Sequence, residues 1–371
     1  MEFASSKRST VGIEWELSIV DAASGELVPA GPEIIAEADD PRVTSEFMKN
    51  TIELITGVHA SIPEAIAELQ TLLQRVQQIA DARGLALIGP GTHPFCKSAS
   101  QEISDIQRYR EIIDESQSWA RELAIWGVHL HVGIESRDKV IPLMQDIVEY
   151  GPVLLAMSAS SPYWNGIDSG FASQRTMLFR QLPASSVPPY FADWQTFERI
   201  VDDYTRVGMI KSVASLRWDV RPSPKWGTLE IRIADGATSL ARLSAVASLA
   251  HCMVEASSRR IDAHGPRPAD DMLPSWFRGL NTWRAARYGH EAEFITAPDG
   301  TEEPFNAVLE RRLDELAPIA RQQGCEGALS HVAETVAETS SERQRRVARE
   351  HDGDLRAVVQ DLISEMREPA N

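Results

Sequence analysis

The sequence predicts an α+β protein whose sheet carries one ionisable face. Several short segments alternate apolar and ionisable residues at period 2, as half-buried strands do. Amphipathic helical runs are interspersed with them, and Gly- and Pro-rich connections separate several of the strands. The alternating segments share one polarity pattern, almost all Glu, His, Asp and Arg on the outer side.

The first strand is read at Val11–Leu17, with Val11, Ile13, Trp15 and Leu17 on one side and Glu14 and Glu16 on the other. Residues 21–29 read as a hairpin turn around Gly25. Residues 51–56 add Glu53 less cleanly, because Ile55 falls on the Glu53 side; Glu46 lies seven residues upstream. Ser61 and Glu64 have capping-box spacing and open a helix that Arg83-Gly84 ends. Leu85–Ile88 is a short apolar strand, and a second helix is expected from about 102 to 123. Residues 126–133 return to period 2, with His129 and His131 opposite Val128, Leu130 and Val132.

A helix is expected over 136–158, then a Ser-, Pro- and Gly-rich loop or lid over 160–192, then a helix over 193–209. The segment 216–221 alternates, carrying Arg217, Asp219 and Arg221, and Pro222 is expected to stop it. The segment 228–233 carries Glu230 and Arg232, and a long helix follows over 239–259. The last hundred residues read as charged helices with solvated faces. No linker-like stretch divides the chain, so a single domain over 1–371 is expected, mostly helical from about 290.

Composition bounds the function. The chain has 371 residues, 43% of them hydrophobic, and a formal charge of -17 from 54 acidic against 37 Lys and Arg residues. Such a field repels nucleic acid and anionic membranes, so neither is an expected partner. A small anionic substrate would need local arginines or cations. The three cysteines, Cys96, Cys252 and Cys325, form no CxxC pair, which suits a reduced, cytoplasmic setting. Residues 1–10 are polar with no apolar signal core, and no run approaches the length expected of a membrane span.

The ionisable face carries the chemistry. Carboxylates at i and i+2 of a strand sit roughly 6.5–7 Å apart on one side and repel unless a cation or solvent intervenes. Mg2+ prefers oxygen ligands, and an imidazole among them suits Mn2+ better. Arginines on the same face would meet an anionic substrate. Each motif alone has a plainer reading: a solvated Glu-x-Glu, a core histidine, an Arg/Asp ion-pair ladder over 217–221. Trp15 and Trp218 read as core. Coincidence of the pattern in several strands favours a metal site. Three alternatives stay open: a zinc hydrolase built on His129 and His131, a phosphotransferase, and a non-catalytic homologue.

Seven segments then match one family in order. They are 12–16 (Gly-Ile-Glu-Trp-Glu), 52–56 (Ile-Glu-Leu-Ile-Thr), 89–94 (Gly-Pro-Gly-Thr-His-Pro), 127–133 (Gly-Val-His-Leu-His-Val-Gly), 218–222 (Trp-Asp-Val-Arg-Pro), 228–232 (Thr-Leu-Glu-Ile-Arg) and 281–289 (Asn-Thr-Trp-Arg-Ala-Ala-Arg-Tyr-Gly). The chain thereby resembles the type 2 glutamate–cysteine ligases, ATP-dependent carboxylate–amine ligases. That resemblance implies a glutamine-synthetase-like fold, a curved antiparallel sheet forming a funnel with helices on its outer face. It implies ATP and Mg2+ (or Mn2+), small-molecule substrates and an amide product formed through an acyl phosphate. By position it makes Glu14, Glu16, Glu46, Glu53, His129 and Glu230 metal ligands. Arg221 and Arg232 would contact phosphate or the substrate carboxylate, with Arg284 and Arg287 as similar candidates. His131 and Asp219 are guesses for a base near the amine, and a homodimer is a guess for the assembly. There is no P-loop signature, so nucleotide would be held through metals and the sheet.

Overall fold

The computed structural model describes residues 1–368. The chain begins with β1 (Val11–Asp21), α1 (Gly31–Ala38), β2 (Val43–Ser45), β3 (Thr51–Ile55), α2 (Ile62–Asp81) and β4 (Leu85–Ile88). It continues through α3 (Gln107–Ser116), β5 (Val128–Gly133), α4 (Arg137–Ser158), β6 (Tyr163–Trp164), β7 (Ile167–Asp168), α5 (Gln174–Phe179) and α6 (Trp194–Arg206). Then come β8 (Val220–Ser223), β9 (Thr228–Ile231), α7 (Leu240–His264), α8 (Ser275–Tyr288), β10 (Glu293–Ile295) and β11 (Glu302–Pro304). The chain closes with α9 (Phe305–Gln323), α10 (Glu326–Ser330), α11 (Val332–Ala337), α12 (Ser340–Glu350) and α13 (Leu355–Met366).

Seven strands form one antiparallel sheet in the order β2-β3-β1-β5-β9-β8, with β4 also paired to β1. The length of β1 makes this possible. Its first half lies between β3 and β5, while Ser18–Asp21 pair with β4. Alternation in the first half matches its environment: Val11, Ile13 and Trp15 are buried, while Gly12, Glu14 and Glu16 are partly open. The second half, Leu17–Val20, is wholly buried, because helices α12 and α13 cover it and β4 from the other side. The apolar face rests on a core that includes α2, α4 and α7.

Local chemistry explains most boundaries. Ser61 caps α2 by accepting the Glu64 N–H at 3.5 Å, but the Glu64 carboxylate accepts from Ala60 N rather than closing the box on Ser61. Gly25 turns the chain at φ 74° between Val20 and Leu27, which bridge.

Several expectations shift. The helix expected from 102 begins only at Gln107, because 103 and 104 bond to the 47–48 backbone, and it breaks at Gln117 with φ 50°. The lid segment 160–192 holds the β6–β7 hairpin and α5. The strand expected over 216–221 lies at Val220–Ser223 and includes Pro222. Pro222 is tolerated because β8 is an edge strand, where one side of the backbone needs no ladder partner. Helix α4 is long and apolar enough to cross a membrane, with mean hydropathy 1.3, contrary to the sequence reading; 83% of that stretch is buried in the protein, so it is a core helix. The C-terminal helices are not merely solvated, since Val347, Val358, Val359, Leu362 and Ile363 pack on β1 and β4. Trp15 and Trp218 are core, as expected.

Candidate active site

Strand register decides which ionisable side chains meet. Glu16 stands opposite Glu53, and Glu53 opposite Thr44. Glu14 stands opposite His129. His131 stands opposite Glu230, which stands opposite Arg221. With a side-chain period of two, these residues share one face. Glu14, Glu16, Glu53, His129, Arg221 and Arg232 floor a cavity of about 1060 Å³. Its walls come from α3, from residues 44–47 at the end of β2 and just after it, and from the 208–217 segment that leads to β8.

Hydrogen bonds fix the floor. His129 Nδ1 lies 2.8 Å from Glu14 Oε2, and His131 Nε2 lies 3.3 Å from Glu14 Oε1. Burial would raise the Glu14 carboxyl, but the bonds from His129 and His131 hold it well below its usual range. Burial, reinforced by Arg232, lowers His129 to about 4, so its ring is neutral at neutral pH. A carboxylate only accepts, so Nδ1 carries the His129 proton and Nε2 keeps a lone pair for a metal. Glu230 is 2% exposed and braced on both sides, by Arg221 (2.7 and 3.1 Å) and by Arg232. Burial opposes its ionisation, yet Arg232 and Arg221 pull it well down.

The other glutamates behave oppositely. Burial, and then the neighbouring Glu46, pushes Glu16 up to about 8. Glu53 is raised well above its usual value by burial and by Glu46, Glu14 and Glu16. Glu46 is raised mainly by burial. These carboxylates cannot all ionise together without a cation. Two sets of side chains, Glu14–His129–Glu230 and Glu16–Glu53–His129, each bring their potential ligand atoms within 4.8 Å of one another, and the sets share the histidine. Oxygen-rich sets with one imidazole fit Mg2+ or Mn2+. Glu46 lines the cavity outside both sets, accepting from Phe47 N at 2.9 Å and from the Tyr109 hydroxyl at 3.3 Å.

The arginines divide. Arg232 gives Nη1 to Glu230 and lines the cavity; its Nε is buried, while Nη2 makes no hydrogen bond among the described residues and is the donor left for an anion. Arg221 is largely spent on Glu230 and on the carbonyls of Ala214 and Leu216. Arg284 and Arg287 are not brought to the cavity. They lie on α8, where Arg284 pairs with Glu302 at 2.9 Å and Arg287 donates to the Gly170 carbonyl. Neither is among the residues that line the cavity, so the structure does not bring them to the other expected site residues. Neither guess for a base lines the cavity either. Asp219 is bound by Arg180 at 2.6 Å, and His131 Nδ1 is bonded to Thr228 Oγ1 at 2.8 Å.

Sequence reading missed Arg108, Tyr109 and Lys211, which line the walls. They sit on a broken helix and in an irregular segment, where no periodicity marks them. Lys211 pairs with Glu111 at 2.7 Å, and Arg217 approaches Glu115 at 4.0 Å, so ion pairs join the two walls.

Two solved structures are similar to this fold. A glutamate–cysteine ligase of Francisella tularensis, solved in complex with AMP, has a TM-score of 0.72 at 15% identity, over 100% of this chain and 91% of that one. A bifunctional glutathione synthetase of Pasteurella multocida has a TM-score of 0.64 at 16% identity, over 96% of this chain and 52% of that one. The expected glutamine-synthetase-like α+β class is thus borne out. In sequence, a Mycolicibacterium vanbaalenii protein with the provisional name glutamate–cysteine ligase 2-1 is 44% identical over 368 residues, 99% of this chain and 96% of its own length. A Leifsonia xyli protein provisionally named glutamate–cysteine ligase 2 is 42% identical over 375 residues, 99% of this chain and 98% of its own. The class is that of ATP-dependent ligases forming a C–N bond. Glutamate-cysteine ligase family 2 (GCS2) matches residues 10–361, and the chain belongs to that family.

Proposed function

We propose that this ligase joins the γ-carboxylate of glutamate to the amino group of cysteine or another amine. The donor carboxylate attacks the γ-phosphate of ATP, ADP leaves, and the amine displaces phosphate from the resulting acyl phosphate. The observation that supports this most is the floor itself: a row of half-buried and buried carboxylates beside the Arg232 guanidinium, open to a cavity large enough for two small substrates.

Glu14, Glu16, Glu53, His129 and Glu230 would hold Mg2+ or Mn2+, with Glu46 at the edge of the set. Such ions supply charge neutralisation and orientation of the phosphates. Arg232 would offer its Nη2 to phosphoryl or carboxylate oxygens, and Arg221 keeps Glu230 in place. Glu14 fixes the His129 ring so that Nε2 faces the site. No described side chain is assigned as the base that takes the amine proton. We place the work in one catalytic unit over 1–371, cytoplasmic, as a homodimer. Each ligand set has one histidine, which favours this reading over a His-rich zinc hydrolase.

The test is phosphate release from ATP and Mg2+ across pairs of carboxylates and amines, with mass spectrometry of the products. The expected result is release that needs both partners and yields an amide. A stable phosphorylated product would favour the phosphotransferase. No turnover by folded, metal-bound protein would return the hydrolase or the non-catalytic homologue.

A further inference from the structure

The floor has a gap that a residue from elsewhere fills. Gly127 lies on the polar face of β5's leading edge, two residues before His129, opposite Glu16 on one side and bridged to Asp235 on the other. Its N–H donates to Glu16 Oε2 at 2.6 Å. A side chain there has no room: a Cβ on Gly127 would sit 2.2 Å from Arg175 Nη2 and 2.8 Å from its Cζ. The Arg175 guanidinium thus takes the place of the residue-127 side chain in the row that runs through Glu53 and Glu16.

Arg175 comes from α5 and is 5% exposed. It is poorly paired for a buried guanidinium. Nε has no partner among the described residues, Nη2 reaches the Arg232 carbonyl only at 3.5 Å, and Nη1 stays 3.9 Å from Asp235. A guanidinium with five donors is costly to bury in this way unless its charge is used. Burial works against its charge; Asp235, then Glu16 and Asp219, support it, and Arg232 repels it.

Its delivery is elaborate. The Ala286 carbonyl of α8 accepts from Ala172 N (2.8 Å) and Ser173 N (2.9 Å), Arg287 holds the Gly170 carbonyl, and Ser173 Oγ donates to Asp235 at 2.7 Å. The 281–289 motif, which stands outside the cavity, therefore anchors the segment that carries Arg175.

We infer that Arg175 is a positioning residue of the reaction: it packs against Gly127, whose N–H holds Glu16, and it reaches the Arg232 carbonyl, and the absence of a side chain at Gly127 admits it. Arg175 does not line the cavity, so it acts through these neighbours. This inference rests on the ligase reading for its consequence in turnover, but not for its effect on metal binding.

The test uses the full chain without nucleotide. Mn2+ binding is followed by electron paramagnetic resonance in wild type, Arg175→Met, Arg175→Lys and Gly127→Ala, with melting curves as the folding control. Loss of a group that orients a metal ligand costs about 10–100-fold in affinity. Arg175→Met should therefore bind Mn2+ at least about tenfold more weakly while folded, and Arg175→Lys should fall between it and wild type. Gly127→Ala keeps the guanidinium but denies it the position, and should weaken binding likewise. Charge alone predicts the opposite, since removing a cation beside carboxylates tightens cation binding. Folded Arg175→Met with unchanged or tighter Mn2+ binding overturns the inference. If Arg175→Met does not fold, Arg175→Lys and Gly127→Ala decide by the same criterion. Wild type that binds Mn2+ but never turns over ATP would sink the ligase reading and leave this comparison standing.

Discussion

The sheet floor and the C-terminal half of α8 are equally rich in charge and motif, yet they do different work. The floor groups Glu14, Glu16, Glu53 and His129 on a cavity, with Glu230 buried beside Glu14 and His129. Helix α8 turns Arg284 outward to Glu302 and uses Arg287 and the Ala286 carbonyl to hold the 170–175 segment. A charged motif can therefore serve a site by holding a neighbouring segment in place, and only geometry separates that role from contact with substrate.

The contrast is broken or sharpened by mutation. The largest effect is expected at Glu14, which both offers a ligand oxygen and orients His129. Glu14→Gln should lower turnover by more than about 100-fold in steady-state assays, with an unchanged melting curve. An activity near wild type would remove the floor's claim. Next comes Arg232→Lys, expected to lower kcat by about 100-fold, because a point charge replaces a planar fork with a free donor. Arg287→Ala should cost about tenfold through the segment it holds, measurable in kcat. Arg284→Ala should stay within about threefold in turnover and about 1 kcal/mol in stability by urea titration, since its pair with Glu302 is partly exposed. Equal losses at Arg284 and Arg232 would erase the distinction between the two regions.

A pH experiment separates them without mutation. The folded-state carboxyl of Glu16 is raised to about 8, chiefly by burial, and Glu53 is raised as well. Raised acids bind more protons folded than unfolded, so they stabilise the metal-free protein below the ordinary carboxyl range. That contribution is lost as pH rises toward about 8. A divalent cation requires the ionised forms, so binding at pH 7 should release protons, read by calorimetry in buffers of different ionisation enthalpy. Buffer-independent heats would contradict a carboxyl-held metal.

Much of this floor was legible because strands with one buried face write their environment at period 2. Glu14, Glu16, His129 and Glu230 could be assigned to one face that way, and the register then aligned them. The 216–221 segment misled for a physical reason: its alternation comes from Trp218 and Leu216 filling the core outside the sheet, while the edge strand starts at Val220 and accepts Pro222. The arginines were less legible. Arg232 and Arg284 are equal in sequence, and only the packing of α8 tells them apart. Arg175 was unreadable, because its signal is an absence, the missing side chain at Gly127. The walls at Arg108 and Lys211 belong to segments whose conformation is set by tertiary contacts, such as the 103–104 pairing with 47–48, and not by local pattern.

The central claim is that the glutamates and His129 on the sheet hold divalent cations. Anomalous diffraction from crystals soaked in Mn2+ tests it directly. Peaks are expected within coordination distance of Glu14, His129 and Glu230, or of Glu16, Glu53 and His129. A fully soaked crystal with no peak on this floor, or with peaks only on other surfaces, would contradict it.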